Sequence, residues 1–263
     1  MPADAEPAAR HPLPRSHEPH SRSHLVNERA VREDGTGRGP VAVLWDMDGT
    51  LVDSEKVWDR SLSETARWLG GELSAAARAE TIGGNMARSL EILFRDVGVT
   101  PTPGLAREAR AWLVARTAEL FAEGLPWRPG AEEALLTVRE AGWATALVTN
   151  TGRELTEMAL EWIGREHFAT TVCGDEVARG KPAPDPYLRA AELLGVPMGE
   201  CVAVEDSPTG ALAAERAGAV VLVVPCEVPV PVGPGRVHRE SLVGLRPTDV
   251  VEAYTRVRSD YAP

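Results

Sequence analysis

Short apolar runs alternate with segments in which apolar residues recur at helical spacing along most of the chain. Beyond residue 130 the spacing of apolar positions predicts helices over 131–141, 153–164, 185–194 and 208–217, with strands over 143–149, 170–173, 201–205 and 219–224 between them. The apolar run 41–45 predicts another buried strand, and a short strand near 241–243 and a helix over 248–256 complete the pattern. Strands that alternate with helices build a parallel sheet with crossover helices, so the pattern predicts an α/β fold.

Residues 57–125 break this alternation, because their apolar positions recur at helical spacing without a strand signal. Turn-forming clusters of glycine and proline lie at 70–71, 83–85 and 101–104. These clusters divide the segment into about four helices. We therefore expect one α/β domain, made of residues 40–56 and 126–263, with a helical insertion at 57–125. The proline-rich segment 225–235 is expected to be a surface loop.

Residues 1–39 differ in composition from the rest of the chain. They are rich in proline, arginine, histidine and serine, and four of the six histidines lie there. A segment of this composition cannot bury enough apolar surface to order itself, so we expect a disordered leader. Its histidines would bind metal only adventitiously.

Charge and cysteine content narrow the class of partner and the compartment. The net charge of −11, from 28 Lys and Arg against 39 Asp and Glu, disfavours nucleic acid or an anionic membrane as a partner. The three cysteines form no CxxC pair and lie in or beside apolar runs, which favours buried thiols over disulfides or a zinc site. The sequence contains neither an apolar stretch of about 20 residues nor an N-terminal secretory signal. We expect a cytoplasmic monomer.

Two carboxylates follow the strand 41–45 and carry the strongest chemical signal in the chain. Alternation along an extended backbone places the side chains of Asp46 and Asp48 on one side. Clustered carboxylates repel unless a cation or a proton lies between them, so the pair predicts a Mg²⁺ site in which one acid can attack phosphorus. An Asp-Gly hairpin turn and a calcium loop are the alternatives, but a calcium loop needs a glutamate at its twelfth position, where Val57 stands.

Polar side chains follow three more predicted strands. Thr149 and Asn150 precede a helix N-terminus, which favours a phosphate, although a capping role is the alternative. Lys181 lies in a proline-flanked turn of a chain that has only two lysines, and an exposed turn lysine is the alternative. Glu205 and Asp206 repeat the acidic pattern before another helix, where an aspartate can also act as a cap. Because the carboxyl ends of parallel strands meet at one edge, these groups together predict a site for Mg²⁺ and phosphate.

The four motifs resemble those of the haloacid dehalogenase superfamily in order and spacing, over residues 41 to about 257. Asp46-Met47-Asp48-Gly49-Thr50 resembles the first motif, Thr149 the second, Lys181 the third and Glu205-Asp206 the fourth. The resemblance implies a Rossmann-like core with an inserted α-helical cap at 57–125, and it implies Mg²⁺ as cofactor. The roles that it implies are a nucleophile that forms an aspartyl-phosphate (Asp46), an acid and base (Asp48), phosphate ligands (Thr149, Asn150, Lys181) and metal ligands (Asp46, Asp48, Glu205, Asp206).

Within this superfamily the sequence favours a phosphatase that acts on a small phosphorylated metabolite, a sugar or polyol phosphate. β-Phosphoglucomutases carry a cap histidine and a cap arginine where Trp58 and Met86 stand here. Because those two residues are absent here, hydrolysis is favoured, and a phosphomutase is the alternative enzyme. A non-catalytic phosphometabolite-binding regulator is the alternative of another class. The candidates for substrate contact in the cap are Glu55, Trp58, Arg60, Gly84, Asn85 and Arg88.

Overall fold

A six-stranded parallel sheet forms the centre of the computed structural model, which describes residues 39–260. Its strands are β1 (Ala42–Trp45), β2 (Ala144–Val148), β3 (Thr170–Val172), β4 (Cys201–Glu205), β5 (Val220–Val223) and β6 (Arg236–His238). They lie in the order β3-β2-β1-β4-β5-β6, so the strand order reverses beside β1. In open α/β sheets ligands bind at the carboxyl ends of the strands at this point. The predicted leader lies outside the described residues, apart from Gly39.

Helices cover both faces of the sheet and form the insertion. They are α1 (Glu55–Trp68), α2 (Ala75–Thr81), α3 (Met86–Asp96), α4 (Pro103–Glu123), α5 (Ala131–Glu140), α6 (Arg153–Ile163), α7 (Asp185–Leu194), α8 (Pro208–Ala217) and α9 (Pro247–Asp260). On β1, Val43 and Trp45 join a cluster with α5, α6 and α9, whereas Ala42 and Leu44 join a cluster with α7 and α8. Burial on both faces explains why this strand is apolar throughout. The prediction of an α/β fold is confirmed.

Helices α1 to α4 form the predicted insertion, and α1, α3 and α4 share an apolar cluster of their own, which includes Leu62, Leu93 and Leu113. The two segments that connect this cap to the sheet lie side by side. The amide of Asp53 donates to the carbonyl of Pro126 at 2.8 Å, and the amide of Arg128 donates to the carbonyl of Leu51 at 2.8 Å. The chain thus leaves and re-enters the α/β domain at one place.

The strand predicted near 241–243 is wrong, because the sixth strand is Arg236–His238 and pairs with β5. This edge strand is short and only partly buried, so it lacks the apolar run that marks the inner strands. Leu242 is buried in a turn instead, where the backbone of Val243 lies so close to Gly130 that a Cβ on that glycine would be 2.4 Å from the Val243 nitrogen. The last helix also extends beyond its predicted bounds.

The described residues also show the state of the cysteines and the apolar character of the helices. All three cysteines are free, and Cys173 and Cys201 are buried while Cys226 is half-buried. Among the helices within 39–260, none combines the length and the apolar character that crossing a bilayer requires.

Candidate active site

The loop after β1 turns sharply and places two aspartates at the carboxyl edge of the sheet. The amide of Asp46 still donates to the carbonyl of Val204 in β4, and the loop then closes on itself through the amides of Leu51 and Val52, which both donate to the carbonyl of Met47. Gly49 has a φ of +81°, and a Cβ there would lie 2.2 Å from Asp206 Oδ2. Only a residue without a side chain lets the loop pass this carboxylate.

Lys181 ties the first and fourth motifs together. Its buried Nζ donates to Asp46 Oδ1 at 2.6 Å, to Glu205 Oε1 at 2.6 Å and to the carbonyl of Val148 at 2.8 Å. Burial by itself would lower the pKa of this ammonium, but the carboxylates of Asp46 and Glu205 outweigh burial and hold the pKa above its usual value. The lysine is therefore a fixed positive charge beside Asp46.

Glu205 is fully buried at the end of β4, and its contacts hold it in one orientation. Its Oε1 accepts from Tyr187 Oη at 2.5 Å as well as from Lys181. The carboxylate lies against the first turn of α8, where a Cβ on Gly210 would be 2.0 Å from both of its oxygens. Tyr187 was not singled out from the sequence, in which it looks like an ordinary core residue of α7.

Three carboxylates converge at this edge of the sheet. One oxygen from each of Asp46, Glu205 and Asp206 lies within 4.8 Å of the others. Burial, and then repulsion by the neighbouring carboxylates, raises the pKa of both Asp46 and Asp206. Asp46 Oδ2 is buried and has no hydrogen-bond partner among the described residues. This set of ligands contains only oxygen atoms and is strongly negative, and one of its carboxylate oxygens has no hydrogen-bond partner within residues 39–260. These properties fit Mg²⁺.

Asp48 lies at the same edge but has a different set of contacts. Its Oδ1 accepts from Ser54 Oγ at 2.7 Å and from Trp58 Nε1 at 2.9 Å. Its Oδ2 accepts from Thr151 Oγ1 at 2.8 Å and from Thr149 Oγ1 at 3.2 Å. These four donors come from both the cap and the α/β domain, so the position of Asp48 depends on how the two meet.

Asn150 holds the Lys181 loop and the cap together. Its Oδ1 accepts from the Lys181 amide at 2.8 Å, while its Nδ2 donates to the Lys181 carbonyl at 3.1 Å and to the Gly83 carbonyl at 3.0 Å. The amide group is thus engaged at both ends by backbone groups. This arrangement was not foreseen from the sequence, which suggested a direct contact with phosphate.

A cavity lies between the cap and the carboxyl edge of the sheet. Its wall includes Glu55 at the start of α1 and Trp58 and Gly84 of the cap, together with Asp46, Asp48, Thr149, Asn150, Lys181 and Asp206. Three of the predicted cap residues lie elsewhere: Arg60 pairs with Glu64 and Glu123 on the surface, Arg88 pairs with Glu91, and Asn85 caps α3 by accepting from the Arg88 amide.

The cavity wall also contains side chains that the sequence did not single out. Arg78 projects from α2, where its Nη2 donates to Glu55 Oε2 at 2.7 Å and to the Glu55 carbonyl at 3.1 Å. Thr151 lies two residues beyond Thr149 and donates to Asp48, as described above. The sequence offered no signal for Arg78, because it is one of many arginines on amphipathic helices.

Known protein families, sequences and solved structures resemble this chain. The family model for haloacid dehalogenase-like hydrolases matches residues 41–218. Protein CbbY of Rhodobacter capsulatus is 31% identical over 198 residues, which cover 71% of this chain and 86% of that protein. Hexitol phosphatase B of Escherichia coli strain K12 is 31% identical over 193 residues, which cover 72% of this chain and 86% of that protein. The crystal structure of a variant of CbbY from Rhodobacter sphaeroides with xylulose 1,5-bisphosphate is similar with a TM-score of 0.69 and 29% identity, covering 78% of this chain and 96% of that one. The chain belongs to the haloacid dehalogenase-like hydrolases.

Proposed function

We propose that this protein is a Mg²⁺-dependent phosphomonoesterase that hydrolyses a small sugar or polyol phosphate through an aspartyl-phosphate on Asp46. The position of Asp46 carries the proposal: Lys181 holds one of its oxygens, the other is buried without a hydrogen-bond donor among the described residues, and the carboxylate belongs to the cluster with Glu205 and Asp206. Such a carboxylate is fixed in orientation and open to a metal ion or a substrate. The name of one similar protein, a hexitol phosphatase, supports the substrate class.

The residues around the cavity supply the groups for two successive displacements at phosphorus. Asp46 attacks the phosphoryl group, so that a bond from its oxygen to phosphorus forms while the ester bond to the leaving alcohol breaks. Asp48 protonates the departing alkoxide and then takes a proton from the water that attacks the aspartyl-phosphate. Inorganic phosphate leaves and free Asp46 is restored. The Lys181 ammonium, held beside Asp46, offsets the negative charge of the phosphoryl oxygens, and the Thr149 hydroxyl binds one of them during both steps.

The acidic side chains divide into two groups by their existing contacts. Asp46 and Asp206, with the main-chain carbonyl of Asp48, would hold Mg²⁺ directly. Glu205 would contribute through water, because its Oε1 already accepts from Lys181 and Tyr187. When bound, the ion neutralises charge on the transferring phosphoryl group.

Trp58 supports hydrolysis over transfer to a second sugar. It stands where β-phosphoglucomutases carry a histidine, and its indole N–H donates to Asp48 at 2.9 Å. Residues 57–123 contain no histidine to hold and reorient a bis-phosphate intermediate, so water is the remaining acceptor. A purely regulatory role is disfavoured, because the nucleophile, the acid and base, the lysine and the acidic cluster are all present and brought together.

We also propose that residues 57–125 move as a cap on a core of residues 40–56 and 126–263. The paired segments on either side of the cap support this division, since they form a short two-stranded connection at Val52 and Trp127. Closure of such a cap would exclude water during formation of the aspartyl-phosphate, and opening would admit it afterwards.

Release of inorganic phosphate from a panel of sugar and polyol phosphates tests the proposal. We expect activity that EDTA abolishes and Mg²⁺ restores, and that Asp46→Asn removes. Glu72→Gln changes an exposed acid whose ion-pair partner among residues 39–260 is Arg67, and as the control it should retain activity. Full activity of Asp46→Asn would refute the nucleophile assignment. Interconversion of labelled glucose 1- and 6-phosphates faster than phosphate release would establish a mutase instead, and binding of the esters without turnover would establish a regulator.

A further inference from the structure

The wall of the cavity carries a net negative charge. Of the described residues that line it, four are carboxylates and two are cations: Asp46, Asp48, Glu55, Asp206, Arg78 and Lys181. Lys181 is committed to Asp46 and to Glu205 beneath it. With a divalent cation at the acidic cluster the wall is close to neutral before a phosphoryl group enters. A substrate that brings a second anionic group would leave that charge uncompensated.

Arg78 is the one cation that the cap contributes to this wall, and it is already paired. Its Nη2 bonds both the side chain and the carbonyl of Glu55, and its Nε lies 3.4 Å from Asp59 Oδ1 without the alignment of a hydrogen bond. The side chains of Arg78 and Glu55 are only 15% and 7% exposed. Separating a buried pair of this kind leaves an uncompensated charge, so Arg78 is not free to receive an anion.

The two cap arginines predicted to contact the substrate do not supply an unpaired cation to the cavity either. Arg60 is half exposed and pairs with Glu64, and Arg88 is half exposed and pairs with Glu91. Neither belongs to the described lining of the cavity. On the cap side, the charged groups that a leaving group meets are therefore Glu55 and the arginine that it neutralises.

We infer that the substrate is a monophosphate whose leaving group is an uncharged polyhydroxyl chain or ring, and that the Glu55–Arg78 pair selects it. The inference rests on the proposed phosphatase function and names its substrate class. The Arg78 guanidinium bonds Glu55 through Oε2, and no bond among the described residues engages Glu55 Oε1, so this oxygen can accept from a substrate hydroxyl. A second phosphate or a carboxylate at the same place would face the Glu55 carboxylate and be repelled. Glu55 and Arg78 are thus specificity-determining residues.

Steady-state kinetics on substrates that differ in the charge of the leaving group test the inference. With Mg²⁺ present, we expect kcat/KM for sorbitol 6-phosphate and glucose 6-phosphate to exceed that for fructose 1,6-bisphosphate and phosphoglycolate by at least about tenfold. Hydrolysis that favours the bisphosphate or phosphoglycolate would overturn the inference while leaving the phosphatase proposal intact. Absence of hydrolysis with every ester would instead overturn the phosphatase proposal. The wild-type comparison decides the substrate class without any variant.

Two variants test the role of the pair. Glu55→Gln removes the carboxylate that neutralises Arg78 and should raise kcat/KM for fructose 1,6-bisphosphate relative to sorbitol 6-phosphate by about tenfold. Arg78→Gln removes the cation itself and should produce no such gain. Glu72→Gln is the control for loss of an acid and should leave the ratio unchanged. An unchanged ratio in Glu55→Gln, or an equal gain in Arg78→Gln, would overturn the assignment of specificity to this pair.

Discussion

Replacement of Gly210 by alanine tests the geometry beneath the acidic site. Gly210 is the third residue of α8, and a Cβ there would lie 2.0 Å from both carboxylate oxygens of Glu205. Elsewhere in a helix this change stabilises a protein by roughly 0.5–1 kcal/mol, because alanine restricts the unfolded chain. Here the added methyl group would have to displace a buried carboxylate that Lys181 and Tyr187 hold. We therefore expect the opposite sign.

The magnitude follows from the two effects of the displacement. Overpacking of a well-packed interior costs about 1–3 kcal/mol, and loss of a hydrogen bond to a charged group costs about 1.5–3 kcal/mol. After the intrinsic gain from alanine is subtracted, Gly210→Ala should lower the free energy of unfolding by roughly 2–5 kcal/mol. At about 2–4 °C per kcal/mol for a domain of this size, Tm should fall by roughly 4–20 °C. Because Glu205 fixes Lys181, kcat/KM should fall at least about tenfold as well.

Thermal and urea unfolding followed by circular dichroism measure this effect, with phosphate release measured in parallel. Gly104→Ala is the matched control, since Gly104 lies in the first turn of α4 and the nearest atom to its added Cβ is 3.8 Å away. The control should be as stable as the wild type or slightly more stable. A Gly210→Ala protein that is as stable and as active as Gly104→Ala would refute the placement of the Glu205 carboxylate against α8.

Other substitutions test contacts that the sequence did not reveal. Asn150→Ala should lower kcat/KM by about tenfold or more and speed hydrogen exchange around Gly83, because the cap loses a bond to the α/β domain; unchanged exchange there would contradict this role. Tyr187→Phe removes the hydroxyl that donates to Glu205 and should cost about 1.5–3 kcal/mol in urea unfolding, and a neutral result would show that the bond contributes little. Burial raises the pKa of the Cys173 thiol to about 11, so at pH 8 it stays protonated and iodoacetamide should label it only after denaturation, as mass spectrometry would show.

The inner strands and their acidic ends were predictable, because each strand and the acid that follows it lie within a few consecutive residues. The local pattern of apolar and acidic residues is therefore enough to identify them. An apolar run such as 41–45 is dictated by burial on both faces, and Asp46 must follow where the strand leaves the core. The edge strand Arg236–His238 was not predicted, because its own three residues do not form an apolar run. It is stabilised by pairing with β5 rather than by its own apolar side chains.

The contacts that shape the cavity were harder to foresee, because they join residues that are distant along the chain. Asp48 receives donors from Ser54 and from Thr151, and nothing in either local pattern indicates the other. Arg78 lines the cavity, whereas Arg60 lies on the surface. Both arginines belong to helices of the cap. Helix periodicity identifies the buried face but not which neighbouring element covers it.

Trapping the phosphorylated enzyme tests the central claim most directly. The protein is mixed with Mg²⁺ and a phosphate-labelled hexitol phosphate, quenched in acid within milliseconds, digested and analysed by mass spectrometry. We expect a burst that approaches one phosphate per chain, with the label on the peptide that contains Asp46 and none on Asp46→Asn. Label on another residue, or turnover without a labelled peptide when the same method detects a standard acyl-phosphate, would contradict attack by Asp46.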